Sequence, residues 1–419
     1  DETALVGDLD LNDDVILQGA GPGLTVLDGT ALSDRILTAN ADLELRDLTL
    51  TGGSAPGFGC ALLVDIVSTV LLERVEVLGN HATAAGGAIF ALGDTTLQDV
   101  LVAGNVGGGT GGGIAMRVDA LLMITDSRIE GNSLEAGQGA GIHLGDTSTM
   151  ILIRSSVEGN RIGSFAPLDL GTGNEGGGIF IDSEAGGSIQ RSSVLGNVAQ
   201  GPASFGGGVR TLGEALVLES TVAWNEAEAG AGVSAGDGAV VFAINSTISL
   251  NRDPAPLTAA FAIEAGASAL LRAVTVKALP GDVALAAVGG TMVVEDSALD
   301  GTCVFLAGAT VTSIGGNVAA PAACWTVSGP DLEDEVVPDL ALGNLGNFGG
   351  GTLTHLPGPG TPLVGHALGA CTDFDQRGLP RTDCDSGAVE RQAGDPDPIF
   401  VDTFESADLS AWSQVIGPD

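Results

Sequence analysis

Three ionisable residues occupy the same position in successive copies of a sequence repeat. Asp99 and Asp126 lie 27 residues apart, and Arg154 follows 28 residues later. If each copy forms one turn of a stacked structure, the two carboxylates lie one rung, roughly 5 Å, apart. Carboxylates at about that distance are the pair that a retaining glycosidase uses. We favour the alternative, a ladder of mixed charges on a solvated surface, because the sequence offers no apolar pocket to raise a carboxyl pKa.

The repeat that carries these residues runs from Gly79 to Asn251. In each copy a glycine cluster precedes a β-branched residue, an alternating run follows, and an asparagine closes the unit. Successive asparagines are 25 to 37 residues apart, and a period in this range is typical of a solenoid. The asparagines are Asn80, Asn105, Asn132, Asn160, Asn197, Asn225 and Asn251.

Positions counted back from each asparagine predict strands. The third residue before it is Val or Ile, the fifth is Val or Ser, and the sixth is usually charged. Alternation in a strand places the third and fifth residues inward and the sixth outward. Inward asparagines can then hydrogen-bond from coil to coil, and the glycine before most of them suits a left-handed corner. The sequence therefore predicts an all-β, single-stranded right-handed parallel β-helix with irregular capping coils and a C-terminal tail.

Two stretches resemble known bacterial families. Gly86-Gly87-Ala88-Ile89, with a later hydrophobic-x-x-Asn element, resembles the repeat of polymorphic outer-membrane proteins. The stretch from Leu345 to Glu390 is similar to the end of the choice-of-anchor Q β-helix proteins, through its segments Gly349 to His355, Cys371 to Arg381 and Cys384 to Glu390. Together the resemblances cover about nine tenths of the chain. They imply a β-helix at a bacterial surface, and they imply no reaction.

The repeat and its flanks predict four regions. Residues 1–53 read as N-terminal capping coils, 54–300 as regular coils, 301–393 as irregular, disulfide-pinned coils, and 394–419 as a proline linker with a docking or sorting tail. The tail holds a strand candidate and a terminal aromatic residue. Its candidate assembly residues are Ile399, Phe400, Val401, Phe404 and Trp412.

Charge and cysteine content indicate a secreted protein. The chain has 53 acidic and 15 basic residues, a net charge of −38, which disfavours binding to nucleic acid or to an anionic membrane. The five cysteines favour two local disulfides, Cys303–Cys324 and Cys371–Cys384, with Cys60 free in the core, and hence an oxidising compartment. A start at Asp1 agrees with signal-peptide removal, and no apolar run is long enough to span a membrane.

The histidines and acidic loops give no strong signal for a metal or cofactor. His81, His143, His355 and His366 show neither metal-ligand spacing nor an evident Ser or Cys partner. His143 lies on an outward row with Phe90, Ala115, Phe180 and Arg210, and this row is a candidate shallow groove. The acidic run Asp331 to Glu335 fits a solvated loop better than a calcium site. We expect no cofactor, with Ca²⁺ as the one ion that acidic corners could gather.

These observations predict a secreted, non-enzymatic structural or adhesive β-helix of a bacterial surface or extracellular matrix. Self-association is the expected partnership, and a finer prediction is head-to-tail assembly into filaments through the C-terminal tail. One alternative is a polysaccharide lyase or glycoside hydrolase that acts on an outer sheet face. Another is a calcium-dependent adhesin.

Overall fold

The repeat units fold into stacked coils whose strands pair in parallel with the coils above and below. The computed structural model describes residues 7–163, 173–252, 259–306, 308–326, 333–368 and 371–396. In these ranges the chain forms strands and turns but no helix, and hence no helix that could cross a membrane. The molecule is an all-β, right-handed parallel β-helix, as the sequence predicts.

Face 1 of the β-helix is a sheet of twelve strands, and it follows the glycine clusters. From Ile89 to Ala235, each three-residue strand of this face begins with the Ile or Val that follows a glycine cluster. The strands of face 1 are Leu9–Leu11, Leu37–Ala39, Leu62–Val64, Ile89–Ala91, Ile114–Met116, Ile142–Leu144, Ile179–Ile181, Val209–Thr211, Val233–Ala235, Ala259–Ile263, Val283–Val288 and Thr302–Leu306.

Faces 2 and 3 meet at a bend in each coil. In two early coils one long strand runs through the bend and belongs to both faces, namely Leu43–Thr51 and Val70–Leu78. The other strands of face 2 are Val15–Gln18, Thr95–Gln98, Leu121–Thr125, Thr149–Ile153, Gly186–Gln190, Glu214–Leu218, Val240–Ile244, Ser268–Arg272, Thr291–Glu295 and Thr310–Gly315. Those of face 3 are Val26–Asp28, Leu101–Ala103, Arg128–Glu130, Ser156–Glu158, Ser193–Leu195, Thr221–Ala223, Thr247–Ser249, Thr275–Lys277, Ala298–Asp300, Val318–Ala320 and Glu335–Val336.

A short corner sheet follows face 3 in the middle coils and consists of two-residue strands. Five of its six strands directly follow an asparagine of the repeat, where the chain turns back toward the glycine clusters. Its strands are Ser54–Ala55, His81–Ala82, Val106–Gly107, Ser133–Leu134, Arg161–Ile162 and Val198–Ala199.

The core is one continuous column of inward side chains from the three faces. The third residue before each asparagine, the Val or Ile of face 3, has no exposed surface in any of the seven copies. Its neighbours across the column are the leading Ile or Val of face 1 and the inward aliphatic residues of face 2. Alternation in the sequence therefore places these residues correctly, because each coil repeats the same inward pattern.

The seven asparagines form an uninterrupted hydrogen-bonded ladder at the corner after face 3. In each of the six steps, the backbone N and the Nδ2 of one asparagine donate to the Oδ1 of the next at 2.9–3.0 Å. The Nδ2 also donates to a carbonyl inside the corner, as from Asn105 to Val77 at 3.0 Å. All seven side chains are buried, so these bonds satisfy amides that would otherwise cost about 1–3 kcal/mol each.

A second ladder of serines lies at the bend between faces 2 and 3. The Oγ of Ser127 accepts from the backbone N of Val100 at 3.0 Å, and the Oγ of each later serine accepts from the N of the serine before it at 3.1–3.2 Å. The serines are Ser127, Ser155, Ser192, Ser220 and Ser246. They occupy the inward fifth position. At this bend the backbone N–H donates to the serine hydroxyl of the next coil and not to a strand carbonyl.

The glycines before the asparagines adopt the left-handed backbone that the sequence analysis expects. Gly79, Gly104, Gly131, Gly159 and Gly196 have φ between 60° and 64°. In the last two copies Trp224 and Leu250 take φ values of 56° and 53° at the same corner, although a residue with a Cβ pays roughly 1–2 kcal/mol for this conformation. The stacking of the corner therefore dictates the backbone even where glycine is absent.

The two ends of the stack differ in how they are covered. At the C-terminal end Trp325 packs on the core, and the Cys303–Cys324 disulfide ties this turn to face 1. At the N-terminal end the inward residues Val15 and Leu17 remain partly exposed. Residues 1–6 of the predicted capping region lie outside the described residues.

The coils end at Glu335–Val336, and residues 343–368 and 371–391, here called the side segment, fold back along the outside of face 3. The prediction of irregular coils through residue 393 is wrong for this segment. It has turns and three isolated antiparallel bridges in place of alternating strands. Its turn-rich composition of Gly, Pro and Asp cannot supply the long parallel runs that a coil needs.

Candidate functional site

The bend between faces 2 and 3 presents one outward residue per coil, and these residues form the bend row. Each has a left-handed φ between 46° and 55°, which turns the side chain out of both sheets. The row consists of Asp47, Arg74, Asp99, Asp126, Arg154, Arg191, Glu219, Asn245, Ala273 and Asp296. The sequence-predicted residues Asp99, Asp126 and Arg154 are thus neighbours on consecutive coils.

A shallow groove of about 380 Å³ runs beside the early part of the bend row. Asp99 and Asp126 line it together with Arg74 and Arg128, while Pro22 from the first coils lies at its end. Asp99 forms no side-chain hydrogen bond or ion pair with the described residues. The groove therefore combines carboxylates and guanidinium groups on a solvent-facing surface.

Arginines hold neighbouring carboxylates of the bend row in their ionised form. Arg154 donates from Nε and Nη2 to the two carboxylate oxygens of Asp126 at 2.7 and 2.6 Å, and this lowers the pKa of Asp126. Arg74 likewise donates from Nε and Nη2 to the two carboxylate oxygens of Asp47. These bonds, together with a hydrogen bond from Gln18, lower the pKa of Asp47 to about 2. A general acid needs the opposite shift, toward the working pH. Asp126 is therefore arranged to pair with Arg154 and not to deliver a proton.

His143 lies on the outward row of face 1, as the sequence places it, but it does not line an open groove. The turns on either side of the strand bury it, and its ring stacks on Phe180 with centroids 5.2 Å apart. Burial lowers the pKa of His143 to about 4. Arg210 on the same row is also buried and pairs with Glu264 at 2.7 Å. The predicted shallow groove is wrong for these coils, because ring stacking and ion pairing fill it.

His355 has a serine partner that its sequence neighbourhood does not reveal. Its Nε2 lies 2.7 Å from the Oγ of Ser249, and its Nδ1 lies 2.6 Å from the backbone oxygen of Gly343. Because the carbonyl only accepts, Nδ1 donates to Gly343 and Nε2 accepts from the Ser249 hydroxyl. The pair is buried, and burial lowers the pKa of His355 to about 4. The contact joins the side segment to face 3, and the 106 residues between Ser249 and His355 explain why no serine partner is evident from the sequence.

The remaining histidines and acidic residues do not converge. His81 is exposed at the corner sheet, and His366 lies 3.7 Å from Glu335. Among the described ranges no group of three or more His, Cys, Asp or Glu side chains is arranged to hold a metal ion. Residues 331 and 332 of the acidic run lie outside those ranges, and Asp334 accepts hydrogen bonds from Ser313 and Asn317. A role for Ca²⁺ therefore stays a prediction.

The side segment covers five coils of face 3 through hydroxyl contacts. Thr221 donates to the carbonyl of Leu353 at 2.5 Å, and Thr247 donates to Gln376 at 2.6 Å. Thr275 accepts from the backbone N of Ala388 at 3.0 Å. The outward face 3 residues beneath the segment are all buried: Thr221, Thr247, Thr275, Ala298 and Val318.

Buried charges hold the side segment itself together. Arg377 pairs with Asp375 and Asp395, each at 2.9 Å, and Arg381 donates to the backbone oxygens of Asp385 and Gly387. Burial raises the pKa of Asp385. These residues lie in the Asp-Phe-Asp-Gln-Arg-Gly-Leu-Pro-Arg run and the stretch after it, which resemble the choice-of-anchor Q proteins. In this chain the run therefore positions a cover on the β-helix.

Asp296 stands at the boundary between the bend row and the side segment. Its Oδ1 accepts from the backbone N of Leu368 at 2.8 Å, while its Oδ2 has no hydrogen-bond partner among the described residues. Burial raises the pKa of Asp296. The sequence gives no signal for this contact, because Leu368 lies 72 residues further along the chain.

The cysteines pair as the sequence predicts. The structure contains the disulfides Cys303–Cys324 and Cys371–Cys384. Cys60 is a buried free thiol whose Sγ lies 2.9 Å from the backbone oxygen of His81, and burial raises its pKa. The tail residues Ile399, Phe400, Val401, Phe404 and Trp412 lie outside the described residues.

Comparison with known proteins gives no assignment of family or activity. No protein-family model matches the chain, and no curated protein matches it. Among solved structures the fold is similar to the crystal structure of pectate lyase Pel9A, with a TM-score of 0.44 and 12 % sequence identity over 87 % of this chain and 90 % of that chain. The similarity concerns the β-helix alone. Membership of the choice-of-anchor Q family stays a prediction.

Proposed function

We propose that this protein is a secreted structural or adhesive rod of a bacterial surface or extracellular matrix. The observation that carries the proposal is the asparagine ladder, in which every step repeats the same bonds from Asn80 to Asn251. A ladder of this kind fixes the register of successive coils and resists bending between them. The twelve strands of face 1, at roughly 4.8 Å per rung, give a rod about 50 Å long.

The chemistry of the surface and the covalent links support an extracellular role. The net charge of −38 favours solubility and self-repulsion outside the cell. The two disulfides suit an oxidising compartment. The side segment braces five coils of face 3, of which the first two contain Asn225 and Asn251 and the other three lie beyond the end of the asparagine ladder.

The proposal is tested in cells that produce the protein, by immunogold electron microscopy and by an adhesion or matrix assay. We expect label on the cell surface or in the matrix, and loss of the phenotype with Asn160→Ala, which breaks the ladder. The double variant Asp99→Asn with Asp126→Asn is the matched control, because it alters the groove and leaves the ladder intact. Label confined to the cytoplasm, or a phenotype that depends on Asp99 and not on Asn160, would contradict the rod proposal.

The groove beside the bend row favours a second candidate function, a polysaccharide lyase or glycoside hydrolase. Asp99 is its best candidate for chemistry, because it faces the groove without a partner among the described residues, next to Arg74 and Arg128. The test is incubation with a panel of acidic and neutral polysaccharides, followed by assays for new reducing ends and for unsaturated products. Turnover that Asp99→Asn abolishes supports this function, and turnover unchanged by that substitution rejects the site.

Two finer predictions remain open to direct tests. Head-to-tail filament assembly predicts that deletion of residues 395–419 converts filaments into monomers, and filaments that survive the deletion would exclude the tail. A calcium-dependent adhesin predicts that a chelator lowers the melting temperature, and an indifferent melting temperature counts against it. Neither prediction changes the rod itself, because the ladder and the coil contacts lie within residues 7–336.

A further inference from the structure

Face 2 exposes an apolar strip that the described parts of the chain do not cover. Inward and outward residues alternate in its strands, and the inward ones are buried. Phe242, at the centre of the strip, is 40 % exposed, and its apolar neighbours on the same side are partly exposed. We define the apolar strip by the outward residues Met123, Ile151, Ile153, Leu216, Leu218, Phe242, Ile244, Leu270 and Val293. The strand Gly186–Gln190 crosses the strip between Ile153 and Leu216, and its outward residues are the small or uncharged Gly186, Ser188 and Gln190.

The strip stands out against a strongly acidic chain. Between Leu121 and Glu295 the charged outward residues of face 2 are Glu214, Arg272 and Glu295, and the last two pair with each other at 3.1 Å. Parallel sheets are normally covered on both sides, and an exposed apolar patch on a protein surface marks an interaction site. An apolar segment is the occupant whose chemistry fits such a strip.

The size of the strip favours a peptide segment over a second copy of the rod. Seven strands at roughly 4.8 Å spacing and five residues at about 3.3 Å give an area of about 29 Å by 13 Å, or about 400 Å². A stable interface between two proteins buries about 800 Å² per partner. A segment of the same chain needs less area, because it is already tethered near its site.

The described chain stops beside this strip. Asp395 is held by Arg377, the backbone of Arg377 packs on Gly350, and Gly351 approaches the backbone oxygen of Arg191 in the bend row. The bend row directly follows the last outward residue of face 2 in each coil, as Glu219 follows Leu218. Residue 396 therefore lies on the flank of the rod, near its middle coils.

The remaining 23 residues have the length and the chemistry to cover the strip. Extended at roughly 3.3 Å per residue they reach about 75 Å, more than twice the length of the strip. Their charged residues are all acidic, which disfavours contact with most of the anionic surface but not with the uncharged strip. Their large apolar residues are Ile399, Phe400, Val401, Phe404, Leu409, Trp412, Val415 and Ile416.

We propose that the apolar strip of face 2 is the docking surface for residues 397–419 of the same chain. The inference does not depend on the proposed rod function, and it differs from head-to-tail assembly, because a tail seated on its own flank cannot add a strand to the end of a neighbour. The tail then covers the strip, and the apolar residues of the tail have a place out of water.

Trp412 reports the docking in the full chain. The difference in fluorescence between the full chain and its Trp412→Phe variant isolates this indole from Trp224 and Trp325. In the unmodified chain we expect a blue-shifted emission of Trp412. When Leu216→Asp and Phe242→Asp are introduced together, we expect the acrylamide quenching constant of Trp412 to rise at least threefold. The milder pair Leu216→Thr and Phe242→Thr retains strand propensity and should give the same direction of change. Val67→Asp, at a residue that is 75 % exposed away from the strip, is the matched control and should leave the quenching unchanged.

Light scattering and dilution separate this proposal from its rivals. Shielding of Trp412 in a monomer, independent of concentration, supports docking on the same chain. Shielding that disappears on dilution or follows oligomer formation assigns the tail to a neighbouring copy and overturns the proposal. Free access of acrylamide to Trp412 in the unmodified chain, or shielding indifferent to both strip variants, overturns it as well.

Discussion

The two halves of face 3 share one interior and differ in what lies outside. In the N-terminal half the outward row is Glu76, Leu101, Arg128, Ser156 and Ser193, and each side chain is partly or fully exposed. In the C-terminal half the same row is Thr221, Thr247, Thr275, Ala298 and Val318, and each is buried beneath the side segment. The inward residues are equally buried in both halves. The coil therefore determines which residues form the core. The side segment determines whether the outward residues of face 3 contact protein or solvent.

The comparison teaches that one backbone repeat carries two kinds of surface. The uncovered half keeps its charges for solvent and for the groove with Asp99 and Asp126. The covered half replaces them with small hydroxyl and aliphatic residues, because a charge buried there without a partner would cost several kcal/mol. The sequence shows this change of composition along the outward row of face 3, but it does not show that the side segment covers the row.

The largest effect is expected from removing the charge that holds the cover. Arg377→Met leaves the buried Asp375 without its ion pair, and such a loss costs about 3–5 kcal/mol. We expect this loss in the free energy of unfolding of the side segment, measured by hydrogen exchange of the Thr221 and Thr247 strands, whose outer sides become exposed. Arg191→Met, in an exposed pair with Glu219, is the control and should change the free energy by at most about 1 kcal/mol. Equal losses in the two variants would show that the cover does not depend on this pair.

The next effect tests whether the two halves have the same interior. Asn160→Ala in an uncovered coil and Asn225→Ala in a covered coil each leave two donors of the preceding asparagine without an acceptor. Each substitution should lower the free energy of unfolding by about 2–3 kcal/mol, as measured by urea denaturation. A clearly smaller loss for Asn225→Ala would mean that the side segment supports the ladder from outside.

A matched pair of substitutions addresses the outward row directly. Thr247→Val removes the hydrogen bond to the buried Gln376 and should cost about 1–2 kcal/mol. Ser156→Val occupies the same position on an uncovered coil, and a surface change of this kind should stay within about 0.5 kcal/mol. Both are measured by urea denaturation of otherwise identical proteins. Indistinguishable results would remove the distinction between the two halves.

The smallest effect is a pH dependence of the cover. Because burial raises the folded-state pKa of Asp296, its contribution is fully present below the unfolded pKa of about 3.9 and is lost as pH rises through the folded value. Asp296→Asn keeps an oxygen for the Leu368 amide and cannot ionise. We expect the stability of the cover, followed by hydrogen exchange from pH 4 to 7, to fall less steeply in this variant. An unchanged slope would assign the pH dependence to another group, with Asp385 as the first candidate.

Local repetition explains how much of the fold the sequence predicts. The period of the asparagines, the β-branched third position and the glycine corners identify a parallel β-helix, and the two disulfides follow from short spacings. The serine ladder has the same period, with a serine at the fifth position before each later asparagine. A buried hydroxyl repeated at one position of every coil indicates a partner on the next coil, which the structure shows to be a backbone amide. The groove residues Asp99 and Asp126 follow from register alone.

The contacts between the side segment and face 3 could not be predicted from the repeat, because they join residues that are far more than one period apart. Ser249 and His355 are 106 residues apart, and Thr247 and Gln376 are 129 residues apart. His143 belongs to an outward row, but the turns and Phe180 bury it. Whether an outward residue meets water or protein depends on what packs there, and this cannot be read from alternation.

The sequence by itself determined the coil, its corner ladder and the inward core, because each copy of the repeat states the same local preferences and neighbouring copies reinforce them. Only the tertiary structure decided that the side segment leaves the stack and covers half of face 3, and that the apolar strip of face 2 stays open among the described residues. The physical reason is that coil stacking depends on contacts one period apart, whereas a cover depends on the shape and charge of a distant surface.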